Sequence, residues 1–214
     1  MLFCYIKNMP GRNILKEDVA ESYYHIYARG ANKQKIFLDD ADFTYFLALL
    51  KRHLSHERTK TYRGVEFLKL YENINLLTYC LMQNHFHLLV FQINEHAMSN
   101  LMRRIMTAYG QYFNKKYHRV GHVFESCYRA SRVSSDSYLL HISRYIHLNP
   151  KDWRSYPYSS LSSYIDSIKR DWVSTDRILD LYKSQDEYRE FLEDYEQERD
   201  DHQIIKDELA NVSE

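Results

Sequence analysis

The feature that most constrains the fold is a pair of largely apolar runs within residues 74–93. It consists of "INLLTYCLM" (74–82) and "HFHLLVFQI" (85–93), with Gln83-Asn84 between them. Two runs of strand length separated by two turn-forming residues predict two strands joined by a tight turn. Whatever the chain folds into must therefore contain this pair of strands.

The flanking segments predict the elements around the strand pair. Apolar residues recur at helical spacing after Asp39 or Asp40, the candidate N-cap residues, and from Ala97 to Tyr117. We expect strands at 22–28 and 121–133, a short strand near 65–70, a helix at 135–150 opened by Ser135 or Asp136 and closed by Pro150, and two helices within 175–200. The main order is the βαββαβ pattern of a ferredoxin-like α+β fold, followed by a further helix.

Composition limits the classes to which the chain can belong. Only 5 glycines and 3 prolines occur in 214 residues, which argues against a loop-rich chain. No apolar run reaches the ~18 residues that a membrane span needs, and three widely spaced cysteines form no disulfide framework. We expect a cytoplasmic protein with no membrane partner, divided into an N-terminal extension (1–20), a main domain (21–165) and an acidic helical C-terminal segment (166–214).

His85 and His87 are the first candidate site residues. Residues i and i+2 of a strand point to the same face, so the two imidazoles project together while Phe86 faces the core. Two imidazoles on a rigid strand can share one cation, although two separate polar histidines would show the same pattern. The flanking residues match neither a HExxH nor a HxHxDH motif, and a cupin would be an all-β barrel.

A further ligand must therefore come from another segment. On the predicted helix 136–149, His141, Tyr145 and Asn149 are spaced four apart and share a face. Asn149 could ligate a metal, or could be a capping residue before Pro150. Tyr145 could be a nucleophile, with Tyr138 as its main rival, or one of 20 tyrosines without such a role.

A basic and aromatic stretch suits a nucleic-acid partner. Seven Lys/Arg and one acid lie between residues 101 and 132, whereas residues 184–214 hold twelve acids and three Lys/Arg. Rings interleaved with cations favour single-stranded nucleic acid, although half of an amphipathic helix with a basic outer face would show the same composition. The candidate DNA-binding residues are Arg103, Arg104, Lys115, Lys116, Arg129 and Arg132, and we expect the acidic segment 184–214 to be dispensable for chemistry.

Five segments together carry a resemblance to a known family. "ARGANKQKIFLDDADF", "YCLMQNHFHLLV", "YGQYFNKKYHRVGHVFESCYRA", "RYIHLNP" and "YPYSSLSSY" occur in this order. They resemble the REP-associated tyrosine transposases, relatives of the small insertion-sequence transposases and members of the HUH endonucleases. The resemblance spans roughly residues 20–165. Gln83 departs from it, since a proline is usual there, and the segment after Pro150 is shorter than usual.

The resemblance implies a residue-by-residue assignment. It makes Tyr145 the nucleophile and His85, His87 and Asn149 the ligands of Mg²⁺ or Mn²⁺, although two imidazoles also suit Zn²⁺. The implied activity is cleavage and rejoining of single-stranded DNA at hairpin-associated sites, through a 5′-phosphotyrosine intermediate, by a monomer or a homodimer. Two alternatives are a non-catalytic DNA-binding descendant and a metal-dependent phosphodiesterase that uses water.

Overall fold

The computed structural model describes residues 18–61, 63–166 and 168–196. Its centre is an antiparallel four-stranded sheet in the order β2-β3-β1-β4. The strands are β1 (Ser22–Arg29), β2 (Ile74–Met82), β3 (His85–Gln92) and β4 (Arg129–Val133), and the three long helices are α1 (Asp40–Leu54), α2 (Ala97–Lys116) and α3 (Asp136–His147). This order confirms the α+β class and the predicted βαββαβ pattern with a helix after the last strand.

Local sequence signals explain most of the element boundaries. Asp39 caps α1 in a reciprocal capping box with Asp42, and the Ser135 side chain accepts a hydrogen bond from Tyr138 at the start of α3. The strand expected near 65–70 is wrong, because the residues there form only an isolated bridge between Lys60 and Glu66. The predicted strand 121–133 is also too long, since β4 pairs with β1 only over 129–133.

The two faces of the sheet bury different side chains. On one face, α1 and α2 cover Ile26, Phe86 and Leu88. The other face packs against α3 and three shorter helices, α4 (Ser162–Ile165), α5 (Asp176–Leu179) and α6 (Gln185–Glu193). Alternate residues of a strand therefore enter two separate cores. In the described part of the chain, no helix is both long enough and apolar enough to cross a membrane.

The C-terminal helices belong to the second core. Tyr188 and Leu192 of α6 are fully buried in the same hydrophobic cluster as Ile142 of α3. The division predicted between residues 165 and 166 stays a prediction, although this packing joins the two sides. Most of the predicted extension 1–20, and the segment 197–214, lie outside the described residues.

A buried histidine fixes the C-terminal end of α3. His147 is fully buried, with Nδ1 2.7 Å from the Tyr188 hydroxyl and Nε2 2.8 Å from the Ser160 hydroxyl. Ser160 in turn accepts a hydrogen bond from the backbone N–H of Tyr79 in β2. This chain of contacts links α6, α3 and the sheet, so it fixes the turn of α3 that carries Tyr145.

Replacing Tyr188 by Phe should destabilise the fold by about 1–3 kcal/mol, because it leaves a buried nitrogen of His147 without its partner. Tyr182→Phe is the matched control. The Tyr182 hydroxyl is buried and has no hydrogen-bond partner among the described residues, and its ring lies 5.2 Å from that of Tyr188. Urea unfolding of both variants measures the difference, and equal stabilities would contradict a structural role for the His147–Tyr188 contact.

Candidate active site

A cleft of about 550 Å³ opens on the sheet face that α3 partly covers. Its lining combines strand, loop and helix residues, and it contains all four groups that the family resemblance assigns to catalysis and metal binding. The lining residues are Tyr27, Ala28, Arg29, Lys33, Met82, His85, His87, Glu125, Ser126, Cys127, Arg129, Tyr145 and Asn149.

Strand pairing sets the positions on the floor of the cleft. In the antiparallel register of β1 and β3, Tyr27 lies opposite His87 and Arg29 lies opposite His85. The rings of His85 and His87 are 5.0 Å apart, centroid to centroid. The predicted same-face arrangement of the two histidines is therefore present, with Phe86 fully buried on the opposite face.

The side chain of Asn84 selects the tautomer of His85. Its Oδ1 lies 2.7 Å from His85 Nδ1, while its Nδ2 donates to the carbonyl of Lys33. Because an amide oxygen only accepts, Nδ1 of His85 carries the proton and Nε2 is the unprotonated nitrogen. Burial, assisted by the charge of Arg29, lowers the pKa of His85 to about 4, so the ring is neutral at pH 7.

His87 has a second histidine as its partner. Nδ1 of His87 lies 2.9 Å from Nε2 of His25, and the two rings stack at 5.1 Å. Burial holds the pKa of His87 well below its usual value and lowers that of His25 to about 3. His25 was not predicted as a site residue, although its place two residues before Tyr27 in an alternating strand puts it on the same face.

Tyr145 on α3 and Asn149, two residues beyond the end of that helix, reach the histidines, so the helix predicted over 135–150 ends earlier, at His147. The Tyr145 ring lies 5.3 Å from that of His87, edge to face. Asn149 hydrogen-bonds to both Tyr145 and His85. Burial raises the pKa of Tyr145 to about 12, and the Asn149 contact opposes this shift.

Two other candidate residues of α3, Tyr138 and His141, point away from the cleft. Tyr138, the predicted rival nucleophile, packs against the second core and does not line the cleft. His141 lies beside α6, with Nδ1 3.0 Å from the Arg144 guanidinium and its ring 6.4 Å from that of Phe191. Tyr27 takes the place of Tyr138 as the second tyrosine of the cleft.

The donor atoms suit a divalent cation. His85 and His87 are neutral, and their Nδ1 atoms contact Asn84 and His25, so Nε2 is the nitrogen of each ring that a metal would meet. Asn149 adds an amide oxygen. Within 18–61, 63–166 and 168–196 no group of three or more His, Cys, Asp or Glu residues could hold a metal, so any site here depends on the amide.

The six predicted DNA-binding residues are divided between the two faces of the sheet. Arg129 lines the cleft beside Tyr27. Helix α2 lies on the opposite face, where Arg103 and Arg104 bond to Asn100 and Lys116 forms ion pairs with Asp39 and Asp42. Lys115 is exposed on α2, and Arg132 is exposed on β4 at a position that shares the α2 face. Contact of these residues with DNA stays a prediction.

Two cations of the cleft were not predicted. Arg29 ends β1, and Lys33 lies in the short turn that follows it. Both belong to the quoted segment "ARGANKQKIF", but the charge count that selected the basic stretch began at residue 101. Arg29 could have been found from its position two residues after Tyr27 in a strand, because this spacing places Arg29 on the same face as Tyr27 and the histidines.

Comparison with known proteins finds a matching family and similar solved structures. The family described as "Transposase IS200 like" matches residues 18–149, more than half of the chain. A solved REP-associated tyrosine transposase bound to a REP hairpin has a TM-score of 0.51 at 12% identity, over 75% of this chain and 90% of that one. A presumed transposase from Deinococcus radiodurans has a TM-score of 0.38 at 15% identity, over 61% and 92%. No curated protein matches.

The buried histidines predict a loss of stability in mild acid. His25, His85 and His147 have pKa values lowered to about 3, 4 and 3, and burial is the main cause. In the unfolded chain the imidazole pKa is about 6.5. Between pH 6.5 and about 4 the unfolded chain binds more protons, so the free energy of unfolding falls as the pH is lowered. Each such histidine adds a slope of up to about 1.4 kcal/mol per pH unit.

Urea unfolding at pH 7, 6 and 5 measures this slope. His147→Gln should make it shallower by up to about 1.4 kcal/mol per pH unit, because one titrating group is removed. A free energy of unfolding that does not change between pH 7 and 5 would contradict burial of these rings in neutral form.

Proposed function

Because this chain belongs to the IS200-like transposase family, we propose that it is a metal-dependent single-stranded DNA endonuclease and strand transferase. The family match makes its function transposase-like DNA processing. The observation that carries the finer proposal is the convergence of Tyr145, Asn149, His85 and His87 in one cleft. A tyrosine-based phosphoryl transfer requires a nucleophile in contact with a group of metal-binding side chains.

The proposed substrate is single-stranded DNA flanked by a hairpin. The solved relative with the same fold is bound to a REP hairpin, which supports the choice. Arg29, Lys33 and Arg129 line the cleft and supply positive charge where a scissile phosphate would enter. Tyr27 offers a ring in the same cleft, of the kind on which an unpaired base can stack.

Three side chains would hold the cation. His85, His87 and Asn149 present two imidazole nitrogens and one amide oxygen, a set suited to Mn²⁺ and, less well, to Mg²⁺. When bound, a divalent ion supplies Lewis-acid polarisation of a non-bridging phosphate oxygen. Asn149 also contacts Tyr145, so the same amide orients the phenol toward the phosphate.

The proposed step exchanges one phosphodiester bond for another. Oη of Tyr145 loses its proton and bonds to phosphorus, the bond from phosphorus to the 3′ oxygen breaks, and that oxygen takes up a proton. The products are a 5′-phosphotyrosine and a free 3′-hydroxyl, and attack by another 3′-hydroxyl reverses the step. With a pKa of about 12, only about one Tyr145 in 10⁵ is ionised at pH 7. This value already includes the favourable charge of Arg29, so further positive charge, such as a bound divalent cation would supply, is needed to favour the phenolate.

Tyr145→Phe tests the nucleophile. Removing only the hydroxyl should preserve packing and hairpin binding but abolish the covalent protein–DNA adduct, seen by denaturing electrophoresis after incubation with hairpin-bearing single strands and Mn²⁺. Tyr27→Phe is the matched control, since Tyr27 lines the same cleft and should still allow an adduct.

Two results would change the assignment. An adduct that persists in Tyr145→Phe and vanishes in Tyr27→Phe would make Tyr27 the nucleophile. Cleavage without any adduct, unaffected by either substitution, would favour a phosphodiesterase that uses water.

A second experiment locates the DNA-binding surface. Arg129→Gln should weaken single-strand binding and reduce the slope of log affinity against log salt by about 0.7, because one phosphate contact is lost. Arg103→Gln, on the opposite face of the sheet, is the matched control and should leave the slope unchanged. The reverse result would restore α2 as the main binding surface.

A further inference from the structure

His25 is a buried titratable residue for which the proposed chemistry has no direct use. It lies in the middle of β1, an interior strand of the sheet, and has no exposed surface. Its Nε2 lies 2.9 Å from Nδ1 of His87, and its ring is edge-on to that of Tyr145 at 6.2 Å. It does not line the cleft, so it can act on a bound group only through its neighbours.

The contact between the two imidazoles admits two proton arrangements. In the first, Nδ1–H of His87 donates to Nε2 of His25, and Nε2 of His87 keeps a free lone pair. In the second, Nε2–H of His25 donates to His87, whose own Nε2 then carries a proton and cannot ligate. Only the first arrangement makes His87 a metal ligand, and metal-binding histidines commonly donate their other N–H to a partner that fixes the ring.

We infer that His25 is a positioning residue that accepts the Nδ1–H of His87 and thereby directs the bare Nε2 of His87 into the cleft. The inference rests on the proposed function in one respect, the assignment of His87 as a metal ligand. Asn84 accepts the Nδ1–H of His85 in the same way, so each candidate ligand histidine has its own hydrogen-bond acceptor on the side away from the metal. The two partners set the tautomers before any metal arrives.

The surroundings of His25 explain how a neutral imidazole can act as the acceptor for Nδ1–H of His87. Its Nδ1 and the Ser131 hydroxyl are both buried without a hydrogen-bond partner among the described residues, and the two residues face each other across β1 and β4. A hydroxyl both donates and accepts, so a small movement of Ser131 could satisfy Nδ1–H of His25 in the ligand arrangement.

Metal binding and ring tautomer are measured without DNA. Titration calorimetry with Mn²⁺ compares the wild type with His25→Gln, whose amide oxygen can replace the accepting Nε2, and with His25→Phe, which cannot accept. His53→Gln is the matched control, since His53 is a buried histidine of α1 on the other side of the sheet. Nitrogen-15 NMR of the histidine rings, with Mg²⁺ as the diamagnetic ion, reports which nitrogen of His87 carries its proton.

We expect His25→Phe to weaken Mn²⁺ binding about 10–100-fold, and His25→Gln to stay within about threefold of the wild type. His53→Gln should be unchanged, and wild-type His87 should be protonated at Nδ1. Protonation at Nε2 in the wild type with Mg²⁺ would overturn the inference and requires no variant to fold. Equal Mn²⁺ affinity in His25→Phe and the wild type would also overturn it.

The results separate this inference from the proposed function. Mn²⁺ binding that depends on His25, together with no covalent adduct on DNA, would support the inference and contradict the proposed function. An adduct that needs Mn²⁺, with metal affinity independent of His25, would do the opposite. No Mn²⁺ binding by the wild type, with or without DNA, would overturn the inference and the proposed metal dependence together.

Discussion

The antiparallel register between β1 and β3 decides which side chains meet in the cleft. It places Tyr27 opposite His87 and Arg29 opposite His85, while Phe86, between the histidines, enters the core under α1 and α2. A slip by one residue would exchange the two faces, bringing Phe86 into the cleft and the histidines into the apolar core. Burial of the apolar side chains on one face therefore fixes the register, and the register fixes the positions of the polar side chains on the other face.

Helix α3 adds the second half of the site. Its apolar stripe, which includes Leu139, Ile142 and Ile146, packs on the sheet, and its polar side brings Tyr145 over the histidines. Asn149 joins them from the turn that follows the helix. The nucleophile and the candidate ligands are thus carried by a strand, by a helix and by the turn that directly follows the helix, and burial fixes the strand and the helix. Such supports keep a nucleophile and a set of ligands in place more closely than loops would.

Local periodicity predicted the parts of the site that lie on single elements. Strand alternation placed His85 and His87 on one face, and helical spacing placed Tyr145 and Asn149 together. Neither pattern reports which strand pairs with β3, so His25 and Arg29, which reach the histidines across the sheet, were missed. The basic residues of α2 were selected by composition, and an exposed Lys/Arg face looks the same in sequence on whichever side of the sheet the helix packs.

The contact of His147 with Tyr188 has a consequence for the timing of assembly. A ribosome adds Tyr188 43 residues after Tyr145, since 188 − 145 = 43. At about 5–20 residues per second, this interval is a few seconds during which the sheet and the sequence of α3 exist but α6 does not. Until then α3 lacks the helix that packs Tyr188 and Leu192 beside it. The emerging chain therefore holds the nucleophile and all the candidate ligands before it holds the helix that fixes them.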